Sequence, residues 1–266
     1  MRIARYTLGE DPTYGIVQGD KGAEWIAEIQ GDPLYQPIVF TGNRVSLADV
    51  RLLAPVIPRS KVIGIGKNYA EHAREMGGEA PAEPLMFLIP NTAVVGPGDP
   101  VVMPRQSHEV HYEGELAVVI SRMCKDVPIE RVSDVIFGYT CANDVTARDL
   151  QKADGQWARA KGFDTFCPLG PWIVTHLTLD EVGNLEIRTR LDGALVQDST
   201  TSLMVRDVAT LVSYVSSFVT LLPGDVILTG TPAGVGPMLP GQHVEVEIDQ
   251  IGTLDNVVVE DAGADS

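Results

Sequence analysis

The chain has 266 residues, 44% of them hydrophobic and 21% charged, an ordinary composition for a globular protein long enough to bury a core without disulfide support. Twenty Lys and Arg against thirty-six Asp and Glu leave a formal net charge of −16, so most of the surface repels a phosphate backbone and a nucleic-acid partner is excluded. No apolar run approaches the roughly 18 residues that cross a bilayer, which excludes membrane insertion. No apolar stretch of signal-peptide length follows Met1, and the three cysteines, Cys124, Cys141 and Cys167, lack CxxC spacing, which argues against a disulfide framework or zinc ribbon and fits a reducing cytoplasm.

Residues 1–58 read as short strands broken by Gly, Pro and Asp, with 14–17 and 38–40 among them, and predict a small β-rich N-terminal domain. Pro55 and Pro58 bracket a linker, and a catalytic domain is expected over 59–266. Residues 68–76 predict a helix stopped by Gly77 and Gly78, and 80–104 is loop with short strands. Residues 115–120 and 135–140 read as buried strands, 205–222 carry the longest helical pattern, and 225–229, 244–248 and 253–259 read as strands. The acidic end, 263–266, is expected to fray. The fold class expected is α+β and β-rich.

The chemistry starts at His111-Tyr112-Glu113-Gly114-Glu115-Leu116. Period-two geometry puts Glu113 and Glu115 on one strand face, about 7 Å apart. An isolated Glu-x-Glu is ordinarily a solvated face, but this one runs into the core-like residues 116–120, so the carboxylates sit at a buried mouth and need a cation. A third carboxylate, Asp144, stands where a strand ends and a helical turn begins; it reads equally well as a helix N-cap, with Arg148 as a surface partner at i+4. His72 and Glu75 are spaced i, i+3, so on a helix the carboxylate orients the imidazole and raises its basicity, the arrangement of a general base. Lys161 has Phe163 and Phe166 as neighbours, which points to a partly desolvated ammonium rather than the usual surface lysine. Residues 229–236, Thr-Gly-Thr-Pro-Ala-Gly-Val-Gly, follow a strand, and their amides with the Thr231 hydroxyl can bind a carboxylate if they are more than a turn.

Two motifs mislead. Gly64-Ile65-Gly66-Lys67 begins like a dinucleotide fingerprint, but Tyr69 stands where the third glycine belongs and no Walker pattern follows, so NAD and ATP are not indicated. His108-Glu109-Val110-His111 has Tyr112 where H-E-x-x-H needs its second histidine, which disfavours a zinc protease.

Tyr112-Glu113-Gly114-Glu115-Leu116, Ala-Asn-Asp-Val-Thr-Ala-Arg-Asp at 142–149 and Leu228-Thr229-Gly230-Thr231-Pro232 occur together in this order. In them the chain resembles the fumarylacetoacetate hydrolase family, from about residue 61 to residue 253. The resemblance implies a mixed β-sandwich roll, a homodimer, and Glu113, Glu115 and Asp144 as ligands of Mg²⁺ or Mn²⁺, with Ca²⁺ as a substitute. Three carboxylate ligands leave about three of six octahedral positions for water and substrate. It also assigns Lys161 to the active site with Thr165 as its support, Arg148 and Gln151 to a substrate carboxylate, and His72 with Glu75 to the base, on a lid hinged at Gly77 and Gly78. Lys67, Arg148 and Lys161 supply positive charge for a small anionic 2-oxo acid.

Longer members carry a further acidic ligand just upstream of the histidine, whereas residues 62–70 contain none. The chain therefore looks like the shorter branch of acylpyruvate hydrolases, 2-hydroxyhepta-2,4-diene-1,7-dioate isomerases and oxaloacetate decarboxylases, with a place in aromatic catabolism. The implied function is metal-dependent cleavage of a carbon–carbon bond in a 2-oxo or 2,4-dioxo carboxylate such as an acylpyruvate, through a metal-stabilised enolate that the isomerases and decarboxylases share. A non-catalytic, metal-stabilised scaffold is the competing class; it has no use for His72, Glu75 and Lys161.

Overall fold

The computed structural model describes residues 1–9 and 11–263; the end of the acidic tail, 264–266, lies outside the described residues. A 12-stranded sheet runs through the molecule. Its path starts at Phe40–Ser46 and passes Trp25–Ile29, Thr13–Gln18 and Arg2–Thr7 to Cys167–Val174. It continues through Ile136–Asn143, Gly114–Ile120, Val226–Leu228 and Val62–Gly66 to Leu85–Ile89. Arg2–Thr7 pairs antiparallel with Cys167–Val174, Ile3 opposite Ile173, so the N-terminal strands and the strands around the carboxylates belong to one sheet. A second sheet of five strands, Ala194–Thr200, Glu186–Leu191, His243–Ile248, Gly252–Glu260 and Val101–Met103, packs against it. The helices are short: α1 (Ala70–Glu75), α2 (Arg148–Asp154), α3 (Ala158–Lys161), α4 (Leu179–Val182) and α5 (Val208–Phe218). This is the β-rich α+β architecture expected, and among the described residues no helix is long and apolar enough to cross a membrane.

Gly114–Ile120 is buried at every position because both of its faces are covered. Leu116, Val118 and Ile120 join Ile187, Val246 and Leu254 of the smaller sheet and Leu211 and Val215 of α5. Ala117 and Val119 join Val62, Ala142, Leu169, Val226 and Leu228 on the other side. A strand covered on both faces selects a continuous apolar run instead of alternation, and each large aliphatic side chain buried there contributes about 1.5–3 kcal/mol. By the same period-two geometry, Glu113 and Glu115 share the face of Ala117 and Val119.

One local expectation is corrected. No helical turn begins at Asp144: the strand Ile136–Asn143 is followed by a second short strand, Thr146–Ala147, and α2 starts at Arg148 with Ala147 at its N-cap. The Asp144 N–H donates to Glu113 O at 2.9 Å, so the backbone at this point extends the strand pairing, and the carboxylate does not cap a helix.

Candidate active site

The carboxylate cluster follows from strand register. Gly114 pairs with Asn143 and Glu115 with Ala142 in the antiparallel ladder, so the next rung sets Glu113 opposite Asp144 and leaves Glu115 diagonal to it on the same face. One carboxylate oxygen from each of the three lies within 4.8 Å of the others, and none of the residues is more than 4% exposed. The Glu113 N–H donates to Asn143 Oδ1 at 2.9 Å. The Gly230 N–H donates to Glu115 Oε2 at 2.6 Å.

Two buried cations face this cluster. Lys161, the last residue of α3, donates from Nζ to Glu113 Oε2 and to Asp144 Oδ2, both at 2.7 Å. Arg148, the first residue of α2, donates to Glu113 Oε1 and, at 2.6 Å, to Gln151 Oε1. Burial alone would push the Glu113 carboxyl up, but Lys161 and Arg148 hold it well below the usual carboxylate range. Glu115 goes the other way, raised first by burial and then by the anions Asp144 and Glu113. Burial also pushes Asp144 up to about 6, against the pull of Lys161. Burial opposes the charge on Lys161, yet Asp144 and Glu113 outweigh it and keep the ammonium protonated.

With all three carboxylates ionised, two cations would leave −3 + 2 = −1 in a buried space, and Asp144 Oδ1 is buried with no hydrogen-bond partner among the described residues. A buried anion in this state is costly until it is paired. The donors are all carboxylate oxygens, so the residues fit a hard divalent ion of the Mg²⁺ or Mn²⁺ type. Its charge would bring the sum to −1 + 2 = +1, which suits an anionic ligand.

The other residues singled out from the sequence gather around the same cavity. Lys67, His72, Arg148, Gln151, Lys161 and Thr231 line it together with the three carboxylates. Glu75 stands behind His72, with its Oε2 3.2 Å from His72 Nδ1, and accepts the Gly234 N–H at 3.1 Å. The 229–236 turn does bind carboxylates, but they are the protein's own: Glu115 on the Gly230 amide and Glu75 on the Gly234 amide. Gly230 and Gly234 have φ of 98° and 101°, left-handed backbone that favours glycine. The Thr231 hydroxyl donates to Gly114 O at 2.9 Å and accepts from Gln197 Nε2 at 2.8 Å, so it braces the strand. The Thr165 hydroxyl accepts the Val102 N–H at 2.8 Å.

Sequence reasoning missed Asn143, Gln197 and the apolar side of the cavity, Ile65, Met76, Phe87 and Trp157. The free volume is about 20 Å³, room for roughly one water.

Residues 61–259 match the family model described as Fumarylacetoacetate (FAA) hydrolase C-terminal, and residues 1–55 match Rv2993c-like, N-terminal. The X-ray structure of a 5-carboxymethyl-2-hydroxymuconate delta-isomerase from Mycobacterium smegmatis is 50% identical with a TM-score of 0.90, covering 98% of this chain and 100% of that one. Oxaloacetate tautomerase fahd2, mitochondrial, of Xenopus laevis is 45% identical over 224 residues, 81% of this chain and 70% of that protein. A maleylpyruvate hydrolase from Sphingobium sp. SYK-6, solved in complex with manganese (II) ion and pyruvate, is 34% identical with a TM-score of 0.80, covering 98% of this chain and 99% of that one.

Proposed function

Because the chain belongs to the fumarylacetoacetate hydrolase family and is an enzyme of that family, we propose that it moves a proton next to the carbonyl of a small 2-oxo or 2,4-dioxo carboxylate, as an isomerase or tautomerase. The observation that carries this reading is a buried imidazole, His72 on Glu75, opening onto the same cavity as three convergent carboxylates. The relatives named for isomerase and tautomerase activity are 50% and 45% identical, and both names describe proton shifts.

Glu113, Glu115 and Asp144 are the residues assigned to a divalent ion. When bound it supplies Lewis-acid polarisation of an oxo acid's carbonyl. His72 donates Nδ1–H to Glu75, which leaves Nε2 to take the proton from the carbon beside the carbonyl and to return it to oxygen or to a different carbon. Glu75 fixes the orientation of the ring through the 3.2 Å contact to Nδ1. Lys161, kept protonated by Asp144 and Glu113, acts through its fixed charge on the electron-rich form of the substrate and not as the proton donor. Arg148 holds Glu113 in place and offers its remaining N–H groups to the substrate carboxylate. The cavity must open to admit an oxo acid, and α1, six residues followed by Met76 and by Gly77 at φ 77°, is the element assigned to that movement.

A second reading, carbon–carbon hydrolysis of an acylpyruvate, is favoured by the maleylpyruvate hydrolase likeness and by a cavity beside His72 with room for about one water. There His72 takes its proton from water. Incubating Mg²⁺- or Mn²⁺-loaded protein with oxaloacetate, acetylpyruvate and a 2-hydroxymuconate-type dienoate, with keto–enol exchange followed by absorbance and products by mass, tests both. Proton exchange without chain cleavage supports the first reading, cleavage supports the second, and no turnover of any of the three contradicts both.

A further inference from the structure

The Gly64-Ile65-Gly66 segment fails as a nucleotide fingerprint, yet its glycines have a physical use. Phe87 lies directly opposite Gly64 in the antiparallel pair of Val62–Gly66 with Leu85–Ile89, and a β-carbon at Gly64 would overlap the Phe87 ring. A β-carbon at Gly66 would overlap the Trp157 ring in the same way. The two glycines therefore let both rings lie down on the strand. The rings meet edge to face, their centroids 5.3 Å apart with 64° between planes, a favourable arrangement. Lys161 Nζ stands 5.3 Å from the Phe87 ring centroid, and the Lys161 N–H donates to Trp157 O across one turn at 3.0 Å. The aromatic pair and the cation on the carboxylates are thus parts of one unit.

The same two rings line a second space. On their outer side is an open groove of about 480 Å³, formed with Leu85, Leu88, Gly155 and Ala158; on their inner side is the cavity of about 20 Å³ above the carboxylates. Phe87 and Trp157 line both and stand between them.

We propose that Phe87 and Trp157 form a partition that sets the length of substrate the site accepts. Once α1 has moved to admit it, a 2-oxo acid anchored at the carboxylate cluster projects its substituent toward the rings, so short acids are accommodated and longer ones meet the partition before they reach the groove. The proposal rests on the oxo-acid reading of the site and narrows it to the shortest members of that class. Removing the Trp157 ring joins the cavity to the groove, where each added methylene that reaches apolar surface tightens binding roughly fourfold.

Binding read directly, without turnover, tests this: isothermal titration of the Mn²⁺-loaded protein with pyruvate, 2-oxobutyrate, 2-oxohexanoate and 2-oxooctanoate. The wild-type protein is expected to lose about tenfold or more in affinity between 2-oxobutyrate and 2-oxohexanoate. In Trp157→Ala the ratio of 2-oxohexanoate to 2-oxobutyrate affinity is expected to rise by about tenfold. Gly66→Ala, which keeps the ring but pushes it off the strand, shifts that ratio in the same direction by less and stands in if Trp157→Ala does not fold. A wild-type profile that is flat with length, or a cutoff that persists in the folded variants, overturns the partition and leaves the oxo-acid reading standing. Failure of the wild-type protein to bind any of the four acids overturns both.

Discussion

Glu115 stands within, and Glu113 and Asp144 just beyond the ends of, two paired antiparallel strands that are buried at this end of their ladder, whereas His72 and Glu75 stand on a six-residue helix with no side-chain cap at its N-terminus among the described residues and two glycines shortly after it. The carboxylates are fixed by strand register, by Lys161 and Arg148, and by a backbone amide. Glu75 is a third exposed, and its anchors are the imidazole of His72 and the Gly234 amide. The difference teaches a division of labour: a charge cluster that would be costly to misplace is built into the most stable part of the sheet. The imidazole proposed as the base is put on a short, uncapped helix, the kind of element that opens at low cost.

Glu115→Gln breaks the first half of this division most completely. It should lower activity by about 10⁴-fold, the several kcal/mol a Lewis acid supplies, and abolish the rise in melting temperature on adding Mg²⁺. Because Glu115 is disfavoured as an anion here, the metal-free variant should melt no lower than the metal-free parent. His72→Ala breaks the second half. A loss of about 10²–10³-fold in proton exchange is expected, with Mn²⁺ affinity unchanged; a parallel loss of metal binding would mean that the helix and the cluster are not separable. Glu75→Gln sharpens the comparison. It keeps a hydrogen-bonding side chain beside His72 but removes the charge, and should cost about tenfold in the rate of proton exchange.

The smallest expected effect is a pH dependence of the metal-induced melting shift. Asp144 is pushed up to about 6 and Glu115 is raised as well. In the metal-free fold both hold protons that the unfolded chain gives up, so their contribution to stability is present at low pH and is lost as pH rises through their folded values. A divalent ion competes with those protons. Scanning calorimetry with and without Mg²⁺ should therefore show a shift that grows as pH rises past about 6 and shrinks below it; a shift independent of pH would argue that the ion binds elsewhere.

Some of this is legible in the sequence. Residues 115–120 declare a strand covered on both faces by their unbroken apolar run, and Glu-x-Glu at the head of that run declares two carboxylates on one face by period alone. Asp144 is legible as a candidate ligand only through the family resemblance. What brings it to Glu113 is a ladder register between segments some 30 residues apart, and the local pattern around Asp144 reads just as well as a helix cap. Arg148 reads as a partner of Asp144 at helical spacing but bonds Glu113, because Asp144 lies on extended backbone before α2. The glycines of 229–236 signal an anion-binding turn correctly, and nothing local says that the anions are Glu115 and Glu75. Phe87 and Trp157 carry no signal of their own, since an aromatic lining a site and one filling a core look alike in sequence. The clue lay in Gly64 and Gly66, whose missing side chains make sense only beside the rings that cover them.

The central claim is that Glu113, Glu115 and Asp144 together hold a divalent ion. Titrating the metal-stripped protein with Mn²⁺ and following free Mn²⁺ by electron paramagnetic resonance tests it most directly, with Glu115→Gln, Asp144→Asn and Glu75→Gln measured alongside. The account predicts a single site per chain in the parent and in Glu75→Gln, and no such site in the other two. A parent that leaves Mn²⁺ free, or a Glu115→Gln or Asp144→Asn variant that binds as tightly as the parent, would contradict it.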